Sequence, residues 1–199
     1  MSSKTQTPWE TFLNPATLRP TLIAASVYIA VFELLKNAIV DRIKEFYTSG
    51  FDQNGWRIDP EYESKVLSKN RSPIYASLEW LKEAQAVDDG DVAAFERVKK
   101  LRNELAHGLT GALFQGLPDD FAERLSEMVS LLDKIERWWI VNVEIPINPD
   151  LKDEEIDETQ VIPGPIMGLR LLLDIARGSE EESKKHLEEF IKRTHQRTA

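Results

Sequence analysis

The chain has 199 residues, 42% of them hydrophobic and 30% charged, enough for one sizeable core with or without an appendage. It contains no cysteine, which excludes disulfides, thiolate metal sites and a cysteine nucleophile, and three widely spaced histidines cannot assemble a histidine-rich zinc site. A net charge of −9 argues against a protein that grips nucleic acid over its whole surface.

Residues 1–14 read as a loose, polar lead-in with no apolar segment of the signal-peptide kind. Asn14 followed by Pro15 is a cap and first-turn signal, with Pro20 also compatible with a first turn. From there to about Tyr47, Val27, Val31, Leu34 or Leu35, Ala38 and Phe46 recur at three and four positions, the spacing of one buried helical stripe. The most apolar part, residues 22–35, is short for a bilayer span and contains Glu33, so it reads as a core helix of a cytoplasmic protein with no membrane partner.

Gly50, Gly55 and Pro60 mark residues 48–72 as a loop with at most short helical turns. Ser72 and Pro73 open a second helix, with Ile74, Leu78 and Leu81 on one side. The aspartates of DDGD suit the start of a third helix, whose apolar side is Val92, Phe95, Val98, Leu101 and Leu105 and whose natural stop is Gly108. Asp119 and Asp120 begin a fourth, with Phe121, Leu125, Met128, Leu132 and Ile135 in register. IVNVEIPI, residues 140–147, alternates like a strand, although a lone strand in a helical chain is marginal. An acidic, proline-bracketed linker and two short helices complete the chain. The spacing thus predicts an all-α protein: a four-helix bundle over residues 15–143, then an acidic linker and C-terminal helical appendage over 144–199.

The stretch LRNELAHG, residues 101–108, holds the only histidine of the first 185 residues, five positions after Arg102. An imidazole transfers protons near neutral pH. A guanidinium presents a planar fork that fits phosphate oxygens. Together they are the parts for phosphodiester cleavage, with one group moving a proton while a fixed cation stabilises the charge developing at phosphorus. Asn103 and His107 stand four apart on one helix face, so the Asn103 amide is placed to orient the imidazole, while Arg102 points about 140° away. The bland reading is that basic residues near a helix C-terminus are favoured by the helix dipole whatever their function.

LRNELAHG resembles the signature of the HEPN superfamily, an arginine, four residues and a histidine, commonly with an asparagine after the arginine. HEPN domains are four-helix up-and-down bundles with a short additional helix, and their long first helix often carries an acidic residue, for which Glu33 in AVFELLK is the candidate. The resemblance covers residues 15–143. It implies a metal-independent endoribonuclease of the kind found in toxin–antitoxin, abortive-infection and antiviral-defence systems, needing no cofactor. It also implies a homodimer in which two copies of Arg102 and His107 face one another in a composite site. Two copies would supply both an acid and a base for attack by the ribose 2′-OH, which one bundle with one histidine does not. Some antitoxin-regulated members carry a tyrosine two residues after the histidine. Here that position is Leu109, which puts that form of control in doubt and leaves an antitoxin or other regulatory partner protein as an open expectation.

Arg97, Lys99 and Lys100, in the basic run RVKKLR, are weaker candidates for RNA contact, against the plain reading of a solvated helix face. Trp138 and Trp139 have rings that stack bases, but their place at the end of an amphipathic helix points to packing. His186 and His195 read as surface histidines, and no residue group has metal-ligand spacing. The alternative function is a non-catalytic HEPN-like module that binds a nucleotide or a partner protein.

Overall fold

The computed structural model describes residues 7–53, 55–151, 157–178 and 180–197. It is predominantly helical and divides into two compact units, residues 1–163 and 164–199.

The first unit begins with a short helix, α1 (Pro8–Leu13), where the sequence reading expected a loose lead-in. Thr7 and Glu10 form a reciprocal capping box and Pro8 takes the first helical position, where its missing N–H costs nothing. The long helix α2 (Pro15–Phe46) follows at once, with the Asn14 side-chain oxygen (Oδ1) accepting from the Ala16 N–H at 3.0 Å. By length and composition α2 could cross a membrane, so the shortness of its apolar part is not what decides the matter. Its apolarity is accounted for by nine residues buried in the bundle, among them Tyr28, Val31, Leu35, Ile39 and Ile43.

Two strands stand where a loop was expected. β1 (Thr48–Asp52) pairs antiparallel with β2 (Gly55–Ile58), and Gly55, at φ +111°, supplies a backbone conformation that other residues avoid. A five-residue helix, α3 (Glu61–Lys65), and a 3-10 turn lead to α4 (Pro73–Glu83). Ser72 precedes α4 as expected but its hydroxyl makes no capping bond.

Helix α5 (Asp89–Gln115) opens with a capping box between Asp88 and Asp91, which Lys134 reinforces from the next helix. The helix does not stop at Gly108. It bends there (φ −116°, ψ 18°) and runs on, because Ala112 is buried and Phe114 stacks on Phe12 of α1 with ring centroids 4.5 Å apart and planes 8° apart. Helix α6 (Phe121–Trp139) continues as a π-helix over Ile140–Glu144 and a last turn, α7 (Ile145–Ile147). The strand-like alternation of 140–147 is overridden. Staying helical satisfies backbone groups internally, whereas a strand there would need a partner.

The pairs Asp91–Lys134 and Arg97–Glu127 run α5 antiparallel to α6. Tyr28–Phe121, Arg42–Glu136 and Phe46–Trp139 run α2 parallel to α6. Tyr28, Leu35, Ile39, Phe95, Leu78, Leu81, Met128, Leu132 and Ile135 meet in the core, each burial stabilising by roughly 1.5–3 kcal/mol before entropy is charged against it. The Tyr28 hydroxyl donates to the Val98 carbonyl at 3.1 Å, giving its one polar atom a partner, and burial drives its pKa well above the usual range.

Of the acidic linker, residues 152–156 lie outside the described residues. Arg137 holds the segment after it, donating to the carbonyls of Glu158 and Val161. The second unit contains α8 (Gly164–Arg177) and α9 (Glu180–Arg197), the two helices expected there.

Candidate functional site

Arg102 emerges from α5 at the seam with α2. Its neighbours Leu101 and Leu105 are buried and fix that side of α5 against the bundle, so the Arg102 side chain lies along the edge, 30% exposed. One terminal nitrogen donates to the Glu33 Oε1 at 3.0 Å, and the guanidinium carbon sits 5.4 Å from the centre of the Phe32 ring. The other terminal nitrogen reaches the Asn103 side-chain oxygen at a long 3.5 Å. The buried Nε has no hydrogen-bond partner among the described residues.

Glu33 also accepts from Lys36 at 3.3 Å, one turn along α2. Partial burial acts to raise its carboxyl, but the hydrogen bonds from Arg102 and Lys36 outweigh it and leave the group below the usual carboxylate range. Glu33 is thus an ionised acceptor that sets the direction of the Arg102 fork.

His107 is exposed, on the solvent side of α5 immediately before the bend at Gly108. It has no hydrogen bond among the described residues. Asn103, one turn earlier on the same exposed face, spends its oxygen on Arg102 rather than on the imidazole. Within one chain Arg102 and His107 therefore diverge: five residues of α-helix separate them by about 7.5 Å of rise and about 140° of rotation.

The other basic candidates separate clearly. Arg97 is held by Glu127 through two short bonds, 2.7 and 3.1 Å. Lys99 donates to the Tyr75 hydroxyl at 2.6 Å and lies over that ring. Lys100 alone is open, its side chain 80% exposed and only 3.9 Å from Glu104, on the same face as Asn103 and His107. Trp138 and Trp139 are not a free stacking platform. Trp139 is buried, lies nearly parallel to Trp80 at 5.9 Å, and meets Trp138 edge-on. His186 is exposed on α9, and the side chain of His195 lies outside the described residues. Among the described residues no group of three or more histidine, aspartate or glutamate side chains could hold a metal ion.

Glu33 is the one site residue for which helix spacing within a single element gave no handle, since it lies 69 positions from Arg102. The aromatic seat provided by Phe32 is likewise a product of tertiary packing. No family model, curated protein or solved structure matches the chain.

Proposed function

We propose that the protein is a metal-independent endoribonuclease of the HEPN type, built on a four-helix bundle and acting as a homodimer in defence or stress. The observation that carries this reading is the pairing of an unpartnered, exposed His107 with an Arg102 whose fork is held by Glu33, on one helix and five residues apart. A phosphate needs a fixed cation, and Arg102 is pre-aligned by an ionised acceptor. A proton-transfer group must reach solvent and substrate, and His107 does.

The divergence of the two side chains within one chain favours the composite site over a single-chain one. An isologous pairing that brings two α5 helices together would set the His107 of each chain near the Arg102 of the other. The seam offers material for such pairing: Leu34 is exposed next to Glu33, and Leu22 and Ile23 are exposed about three turns earlier on α2. Lys100 is the remaining basic side chain positioned to meet an RNA backbone near His107.

The test is purified protein with mixed RNA and DNA in EDTA. Attack by the 2′-OH expels the 5′-oxygen of the next nucleotide and leaves 2′,3′-cyclic phosphate ends, so RNA should be cut with those ends while DNA survives. Cleavage abolished by chelation, or DNA cut equally well, overturns the mechanism. One observation favours the second reading, a non-catalytic binding module: the Arg102 charge is already neutralised by Glu33. Nucleotide binding without any cleavage of RNA would establish that reading instead.

A further inference from the structure

The β-hairpin carries two aromatic side chains that the core does not use. Phe51 and Trp56 are cross-strand partners, their rings 5.4 Å apart and nearly perpendicular, and they are 71% and 72% exposed. Paired exposed aromatics of this size are uncommon on a surface that serves only solubility. Below Trp56 opens a groove of about 560 Å³ lined by Asp41, Lys44, Glu45, Thr48 and the indole itself.

The charges in this groove are set against the fold's own interest. Asp41 and Glu45 stand four apart on one face of α2, an arrangement in which like charges repel. Both lie in the last two turns of α2, where the helix dipole disfavours anions. Neither makes an ion pair with a cation of the described residues, although the Asn37 amide, oriented to donate, reaches Asp41 at 3.0 Å. Their field is felt nearby: after burial, Asp41 helps to push Tyr62 up, and Glu45 adds to the upward shift of Glu136. Among the described residues Lys44 is the one cation lining the groove, so two carboxylates face one ammonium.

We propose that this groove docks a lysine- or arginine-bearing segment of a partner protein, with the cation seated between Trp56 and the carboxylates of Asp41 and Glu45 and an apolar neighbour covering Phe51. A cation over an indole face is attracted by the ring quadrupole, and arginine stacks there best. The same cation relieves the repulsion between the carboxylates. A nucleic-acid strand would find rings to stack on but a net negative groove beneath them, which sets the phosphate backbone against it. The groove's carboxylates, Asp41 and Glu45, lie about 12 and 18 Å along α2 from Glu33, so this docking stands independently of the nuclease reading.

The full chain, labelled at its tryptophan indole nitrogens, is titrated with blocked hexa-arginine, blocked hexa-glutamate and a twelve-residue oligouridylate, following the Trp56 resonance. Hexa-arginine should shift that resonance. Asp41→Asn with Glu45→Gln should weaken its binding by at least about tenfold, read on the same resonance, and Trp56→Ala should do the same by calorimetry. A charge-matched control, Glu96→Gln with Asp119→Asn, should weaken it by less than about twofold. All these side chains are exposed, so each variant should fold, which circular dichroism checks. The proposal is overturned by no response to about 1 mM peptide, by equal weakening in the control, or by tighter binding of hexa-glutamate or oligouridylate at Trp56.

Discussion

Arg102 of α5 and Glu33 of α2 tie their two helices together, with a guanidinium nitrogen 3.0 Å from a carboxylate oxygen. Both side chains keep solvent contact, at 30% and 42% exposure, so the pair adds little to stability, on the order of 1 kcal/mol or less after screening. Its consequence is orientation. Two of the five guanidinium donors are committed, one to Glu33 and a weaker one to Asn103, while the ring of Phe32 supports the plane.

Glu33→Gln keeps an acceptor near Arg102 but removes the charge that holds it. RNA cleavage should fall by about tenfold, the effect of losing roughly 1.4 kcal/mol of charge-assisted alignment. Thermal unfolding should shift by less than about 3 °C. Cleavage at the level of the unaltered protein would show that Arg102 needs no alignment by Glu33.

His107→Ala should reduce cleavage by about a hundredfold or more, the range of a lost acid–base group. Because the imidazole is exposed and bonded to nothing described, stability should stay within about 0.5 kcal/mol, measured by urea unfolding. An unfolded variant would mean that the histidine is structural after all.

A third expectation concerns the buried Glu136. Burial raises its carboxyl, opposed by the charge and hydrogen bond of Arg42, and the net shift is upward. A carboxyl raised in the folded state binds its proton more tightly there than when unfolded, so stability from this group falls as pH climbs from the unfolded pKa through the folded one. Glu136→Gln leaves Arg42 paired with Glu144 at 2.7 Å. It should therefore be neutral or stabilising by up to about 1 kcal/mol at pH 7. The difference should shrink as pH drops below the usual carboxylate range, where the unaltered Glu136 is itself protonated. A loss of about 3 kcal/mol at pH 7 would show that the pair is net stabilising.

Gly108→Ala tests the bend beside His107. Its φ is negative and a Cβ there meets nothing within 4 Å, so alanine fits. Helix propensity should stabilise by up to about 1 kcal/mol, raising the unfolding midpoint by about 2–4 °C. If the bend presents His107, cleavage should fall severalfold as the midpoint rises. Unchanged cleavage would free the site from the bend.

How much of this was legible in the sequence depends on where the cause lay. Asn14–Pro15 and the stripe Phe95, Val98, Leu101 and Leu105 are local signals, and both helices form where those signals put them. Thr7, Pro8 and Glu10 also spell a capping box, but six residues are too few for an apolar stripe to show their helix, so α1 is visible in the sequence only through its caps. Asn54–Gly55 between aromatic residues is a hairpin signal, which the surrounding Gly50 and Pro60 disguise as loop punctuation. Gly108 misled for a different reason. A glycine stops a helix when nothing beyond it packs, and the partner that keeps α5 going, Phe12, is about a hundred residues away. The engagement of Arg97 by Glu127 and of Lys99 by Tyr75 is likewise tertiary, so a basic run that reads as an RNA-facing strip holds one open lysine.

The stack of Phe12 on Phe114 gives α1 a mechanical role out of proportion to its six residues. Trp9 joins the same ring edge-on at 5.1 Å, so the helical segment beyond Gly108 is splinted from the other end of the chain. Trimming the protein through Leu13 would remove that splint and let the tail of α5 pivot next to the imidazole. A bulky fusion placed just before Thr7 would load the same splint. Assays made with amino-terminal tags or shortened starts would then report on an altered histidine environment.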